Sequence, residues 1–385
     1  MSPAVWLRKR IAVAVGSRGI ASLDLLVKAV CDWLGRQGAR PFIFPAMGSH
    51  GGATAEGQAR ILADYGITPD TIGVDVCSSM DAVPVGATPE GFRVFMDRLA
   101  WESDGVVLLN RVKPHTDFSG KIESGLLKMM AVGIGKREGA LECHRWSWKF
   151  GFERVIRAMS AQLLASGKIL MGVAVVENEY HQIAMLRAAA ARDLVTMEEG
   201  CLETARALVP RLPLPMLDLL IVDEMGKNIS GSGMDTKVIG RGVELPPGQA
   251  PEIRLIYLRG LTPQSGGNAL GVGLADAIHE RLYRQIDFAK MYANARTSMN
   301  PPMPRVPIYF PSDREALAWL LGALGSPDPG ELRAAWIHNT LDLNRVAVTR
   351  RAAGEPREIP GWRMLPEPYT PSFGAGGDFA ASPWD

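Results

Sequence analysis

Apolar residues in this chain fall into short buried-type runs separated by amphipathic stretches, an alternation that predicts strands and helices in turn. Residues 11–15 form a five-residue apolar run that ends in GSRG. Residues 23–38 follow with Leu26, Val30 and Leu34 at helical spacing. A second strand is expected at 41–45, ending in MGSHGG, with a helix at 55–66. The run GVVLLN at 105–110 reads as a buried strand ending in RVKPHTDFSG, and a glycine-punctuated helical stretch spans 125–144. Helices at 152–165 and 194–209 are expected to flank a strand at 169–176.

The proline-rich RLPLP at 211–215 marks a boundary. Beyond it LDLLIVD at 217–223, IRLIYL at 253–258 and VPIYF at 306–310 read as strands, with a helix near 269–283. Alternating elements of this kind build mostly parallel sheets covered by helices. The expected fold class is α/β, two α/β domains with the active site in the crevice between them. The expected divisions are 1–212, 213–350 and an aperiodic tail, 351–385, packed on one domain. In open parallel sheets ligands gather at the carboxyl ends of the strands. The loops carrying GSRG, GSHGG, KPHTDFSG and GKNISGSG are therefore expected to converge.

Composition narrows the function classes. The 385 residues are 47% apolar and 22% charged, with net charge +1. This is the profile of a soluble globular protein, and it offers no electrostatic reason for a nucleic-acid or membrane-surface partner. A small-molecule ligand fits better. The four cysteines, Cys31, Cys77, Cys143 and Cys201, form no CxxC pair, which predicts free thiols in a reducing, cytoplasmic setting. The basic residues before the first apolar run resemble the start of a signal peptide. The run is too short for one, no cleavage site follows, and it reads as a strand. No apolar stretch is long enough to predict a membrane span.

Six histidines are present, and two of them, His50 and His115, stand in loops after predicted strands. Histidine exchanges protons near neutral pH, so such a pair suits acid and base roles on one substrate, although a single loop histidine is more often a backbone partner. His144 is either a helix histidine or a ligand for nickel, copper, zinc or iron. Arg18, in its Gly-Ser-Arg-Gly turn, suits a carboxylate or phosphate, or is a surface turn residue. Lys128 sits in apolar company, where a reactive amine is often placed, with Lys121 and Lys136 as alternatives. Glycines 125, 133 and 135 fit either close approach to a ligand or helix breaks. In the second half, residues 227–241, with Lys227, Lys237 and Arg241, and residues 261–271 read as polar loops suited to an anionic group.

Taken together these motifs resemble the nickel-pincer nucleotide-dependent lactate racemases and related 2-hydroxyacid racemases and epimerases. The resemblance rests on Ser17-Arg18 after the first strand and Gly48-Ser49-His50 after the second. It also rests on Pro114-His115 with Phe118-Ser119-Gly120, and on Lys128, Gly133-Ile134 and His144, the histidine sixteen residues after the lysine. It implies that His50 and His115 are the paired acid/bases and that Lys128 carries the pincer nucleotide. It further implies that His144 is the protein ligand to nickel, that Ser17, Gly133 and Ile134 help bind the cofactor, that Arg18 holds the substrate carboxylate or lies close to it, and that the loop after Asp223 completes the substrate site, with Lys237 as its cation. Cofactor-synthesis proteins would then be needed for maturation.

Two departures from the pattern bear on this. His115 and Lys128 are thirteen residues apart, wider than the racemase motif, which keeps Lys121 as an alternative anchor. The second-half loop lacks the aromatic–glutamine pair associated with lactate, so a larger or more polar hydroxyacid, such as a sugar acid, is expected. The rival readings are a zinc hydrolase using the three histidines and a non-catalytic protein that binds a hydroxyacid or nucleotide.

Overall fold

The computed structural model describes residues 6–384, apart from 18, 117, 244, 246–249, 299, 355–361 and 366. The chain divides into two compact units, Met1–Val209 and Pro210–Asp385.

The first unit is built on a five-stranded sheet. Its strands are β1 (Arg10–Val15), β2 (Arg40–Pro45), β5 (Gly105–Arg111), β6 (Ile169–Glu177) and β7 (Ile183–Ala190), in the order β2-β1-β5-β6-β7. The first four are parallel, and β7 joins β6 antiparallel. Side chains alternate across a strand, and here the alternation feeds two cores. Ala12, Ala14, Val106 and Leu108 enter one, while Ile11, Val13, Val15, Val107 and Leu109 enter the other. Burial on both faces explains why these strands read as unbroken apolar runs. Helix Leu23–Arg36 covers one face with Leu23, Val27, Cys31 and Leu34, and Leu26 and Val30 flank that stripe. Helices Phe152–Ala165 and Leu194–Leu208 cover the other.

Three features of this unit differ from the pattern-based reading. Strands β3 (Ala82–Ala87) and β4 (Arg93–Asp97) form a separate antiparallel hairpin where no strands were expected. Strand β7 is likewise unanticipated; its mixed burial gives no clean alternation. The stretch expected as one helix over 125–144 is broken into a short helix, Leu126–Lys128, a single π-helical turn, Met129–Gly133, and a long helix, Lys136–Phe150.

The second unit has a six-stranded sheet. Its strands are β8 (Met216–Val222), β9 (Glu252–Leu258), β10 (Ala277–His279), β11 (Ile308–Phe310), β12 (Ala334–Ile337) and β13 (Ala347–Val348), in the order β11-β10-β9-β8-β12-β13. All neighbours are parallel except β12 and β13. The helix expected near 269–283 is not there. Ala269, Leu270, Val272, Leu274, Ala275 and Ile278 are all buried, so the segment has no polar face to give a helix, and β10 forms within it. A short helix, Glu280–Gln285, follows. The C-terminal segment packs on this unit: Phe379 donates its backbone N–H to Asp313 (3.0 Å) and the Trp384 indole donates to Asp223 (2.7 Å).

Candidate active site

Strands β2, β1 and β5 are neighbours, so the loops at their carboxyl ends lie side by side. These loops carry Ser17, His50 and His115. Ser17 Oγ and His50 Nδ1 are hydrogen-bonded at 2.5 Å, which fixes the ring from that nitrogen. The His50 loop is held from beneath. The buried Gln58 amide donates to the carbonyls of Gly48 (2.8 Å) and His50 (3.3 Å). Lys136 in turn donates to Gln58 Oε1 (3.2 Å) and to the Pro45 carbonyl (2.5 Å), and it pairs with Asp97 at 3.1 Å. Both members of that pair are 0% exposed. Burial lowers the Lys136 pKa and raises that of Asp97, and the mutual attraction opposes both changes. Lys136 is therefore a strut behind His50.

His115 meets Lys128 directly: Lys128 Nζ and His115 Nε2 are hydrogen-bond partners. The His115 backbone N–H donates to Glu123 (2.5 Å), a fully buried carboxylate that also accepts from Arg206 (2.6 Å) and from the Gly120 N–H (3.3 Å). Glu123 thus ties the backbone of His115 to that of Gly120. Lys128 ends the helix Leu126–Lys128 and immediately precedes the π-helical turn. Such turns cost hydrogen-bond geometry and recur at functional sites. The Lys128 segment is tied down by Asn110, which donates to the Gly125 carbonyl (2.9 Å), and by Ser160, which donates to the Leu127 carbonyl (2.8 Å).

Aromatic rings link His115 to His144. His115 lies 4.6 Å from Phe118, Phe118 stacks on Phe152 at 5.0 Å, and His144 meets Phe152 edge-on at 5.6 Å, all between ring centroids. The same phenylalanines line an open groove of about 730 Å³ with Ser119, Glu153, Arg154 and Arg157. His144 Nδ1 is buried without a hydrogen-bond partner among the described residues. Burial, with the nearby Lys128 charge, pushes the His144 pKa down to about 4. The ring is thus neutral at pH 7. A buried, unpartnered, neutral imidazole nitrogen has the state a metal ligand requires.

The other candidate residues are placed as follows. Of the three lysines, Lys128 alone has a contact with a histidine among the described hydrogen bonds; Lys121 is exposed and Lys136 is the buried strut. Gly133 and Ile134 serve packing. The Gly133 carbonyl accepts from Gly48 N–H (3.1 Å), and a Cβ on Gly133 would lie 2.5 Å from the Ala46 carbonyl. Ile134 is fully buried in the core. Arg18 lies outside the described residues. Lys237, in the second unit, is half-buried in the helix Thr236–Ile239, and its backbone N–H donates to Asp235 (2.9 Å). Two basic residues of that loop turn inward: Lys227 donates to the Gly231 and Leu270 carbonyls, and Arg241 pairs with Asp276 (2.6 Å). Gln58, Asp97, Glu123 and Phe152 were not singled out in the sequence. Each acts through a partner many residues away, and no local motif announces it.

The ring nitrogens of His50, His115 and His144 do not form one three-ligand set. Among the described residues that arrangement occurs only for His279, Asp313 and Asp378 in the second unit. There Asp313 already accepts from Arg259 (2.9 and 2.8 Å), Tyr257 (2.8 Å) and the Phe379 N–H, and His279 pairs with Asp378 (2.8 Å). The guanidinium supplies the positive charge a cation would bring.

The first unit thus joins a mainly parallel sheet to histidines in the loops after adjacent strands, one of them touching a lysine. Residues 7–149 match the family model described as the lactate racemase N-terminal domain. No curated protein matches significantly. Among solved structures, the lactate racemase apoprotein from Thermoanaerobacterium thermosaccharolyticum is similar at 15% identity with a TM-score of 0.45, over 66% of this chain and 62% of that one. The chain thus spans under two thirds of that structure's length. No helix among the described residues is long and apolar enough to cross a membrane.

Proposed function

We propose that this protein is a racemase or epimerase that inverts carbon 2 of a 2-hydroxyacid with the help of a nickel-pincer nucleotide. The observation that carries the reading is the grouping of His115, Lys128 and His144 around Phe118 and Phe152, within a domain matched by the racemase family model. The C–H bond alpha to a hydroxyl and a carboxylate is a poor acid, and no side chain accepts hydride. When bound, the cofactor supplies an electron-poor acceptor for it.

The residues present fit that group. His144 offers a neutral, unpartnered Nδ1 for nickel. Lys128 offers an amine beside the acid/base histidine where the nucleotide would attach covalently, and an amide-type linkage there would remove its charge from His115. His50, oriented by Ser17, and His115, oriented by Glu123 through its backbone, exchange the hydroxyl proton with the substrate. Each contributes about 10²–10⁴-fold by general acid/base catalysis. Arg18 is the proposed partner of the substrate carboxylate. A zinc hydrolase reading would need the three histidines to converge, and their separation disfavours it.

The test is turnover by protein made alongside cofactor-synthesis proteins, assayed across aliphatic, aromatic and sugar 2-hydroxyacids. Racemisation or epimerisation dependent on His50 and His115 supports the proposal. Ligand binding with no isomerisation of any of them favours the non-catalytic alternative.

A further inference from the structure

The Lys128 segment has one more partner, and it has no part in the proposed reaction. Glu198 projects from the buried stripe of helix Leu194–Leu208, between Leu194 and Cys201, where an apolar residue would suit the pattern. Its side chain is 0% exposed. One carboxylate oxygen, Oε2, accepts the Leu127 N–H at 2.9 Å, and the Leu126 N–H adds a second attraction. The other oxygen, Oε1, has no hydrogen-bond partner among the described residues. Gly125 is shaped to this carboxylate: a Cβ there would lie 2.3 Å from Oε1. A buried carboxylate is costly and is expected only where it does a specific job.

We propose that Glu198 is a positioning residue for Lys128, its ionised carboxylate gripping the amides of the Leu126–Lys128 turn and so holding the Lys128 amine against His115. The grip belongs to the charged form. A protonated Glu198 would carry an O–H with no acceptor and would accept the amide hydrogens more weakly. Burial raises the Glu198 pKa to about 7, so the grip changes strength near neutrality. The charged groups bearing on it are Arg157, from the helix Phe152–Ala165, which favours the ionised form, and Glu199 on its own helix, which opposes it. The consequence for catalysis rests on the proposed role of Lys128. The placement of the amine does not.

The experiment uses the full-length protein without cofactor, so its outcome is separate from that of the racemase proposal. Lysines are acetylated with an N-hydroxysuccinimide ester between pH 6 and 8.5, and peptide mass spectrometry gives the labelling of Lys128 relative to exposed Lys121. Lys136, buried in its ion pair, reports whether the protein stays folded. Wild-type protein is expected to protect Lys128 above pH 7 and lose protection below it. Glu198→Ala is expected to raise relative Lys128 labelling at pH 8 by about tenfold, the scale of one charged hydrogen bond. Glu198→Gln keeps the shape and one acceptor but cannot ionise, and its profile is expected to be flat with pH. If E198A also exposes Lys136, E198Q alone decides. The same Lys128-to-Lys121 profile in wild type and E198Q would overturn the proposal.

Discussion

His50 and His115 reach their loops by different supports. His50 is bonded through Nδ1 to Ser17 and has its backbone carbonyl held by Gln58. His115 touches Lys128 through Nε2 and has its backbone N–H on Glu123. Replacing either by Gln in cofactor-loaded protein is expected to lower isomerisation by about 10²–10⁴-fold while substrate binding persists. Unchanged turnover in either variant removes that histidine from proton transfer. His144 makes a different prediction. Its folded pKa of about 4 lies below the ordinary 6.5 because burial disfavours the imidazolium. The neutral form is the one the fold accepts. The stability associated with it is therefore complete above pH 6.5 and is lost as pH falls toward 4, by roughly 3 kcal/mol. His144→Gln is expected to flatten that acid limb in denaturant titrations of cofactor-free protein; an acid limb as steep as in wild type would contradict the assignment. At this scale the sequence singled out His50, His115, His144 and Lys128 as candidates, because reactive residue types stand out beside glycines and prolines. It did not reveal Gln58, Glu123 or Glu198, whose roles come from partners brought near by folding.

Among the elements, the Asp97–Lys136 pair joins the end of β4 to the start of the helix Lys136–Phe150 and reaches on to the β2 loop. Lys136→Met leaves Asp97 buried and uncompensated, which costs about 3–5 kcal/mol. The expected result is a lower denaturation midpoint together with weaker ordering of the His50 loop by hydrogen exchange; a midpoint within error of wild type would show the strut to be dispensable. The parallel strands were legible because burial on both faces makes continuous apolar runs. The hairpin β3–β4 was not, since its strands contain Pro84 and Gly86 and a bulge interrupts their register. The break after Lys128 appeared only as a scatter of glycines, which fits a helix interrupted by turns as well as a ligand loop. The expected helix over 269–283 failed because apolar spacing alone cannot separate a fully buried irregular segment from a helix.

At the level of the whole chain, each unit has its own apolar cores. The fragment Met1–Val209 is accordingly expected to fold by itself, with one cooperative unfolding transition by circular dichroism; a fragment without such a transition would contradict the division. In the second unit the tail completes the packing around Trp336, which lies 4.4 Å from Phe379 between ring centroids, and around Asp223, which accepts from Trp384. In the first unit the loops that the sequence offered as candidates follow three strands that the fold makes neighbours. The polar loops of the second unit looked equally suited to anions, yet Lys227 and Arg241 serve that unit's own carbonyls and carboxylate.

The proposed anchoring of a nickel-bearing nucleotide by Lys128 and His144 is decided by intact-mass and peptide mapping with nickel analysis on full-length protein produced together with cofactor-synthesis proteins. The expected result is an added mass confined to the peptide containing Lys128, with nickel that is lost in His144→Ala. An unmodified, nickel-free chain, or an adduct on Lys121 in place of Lys128, would contradict it.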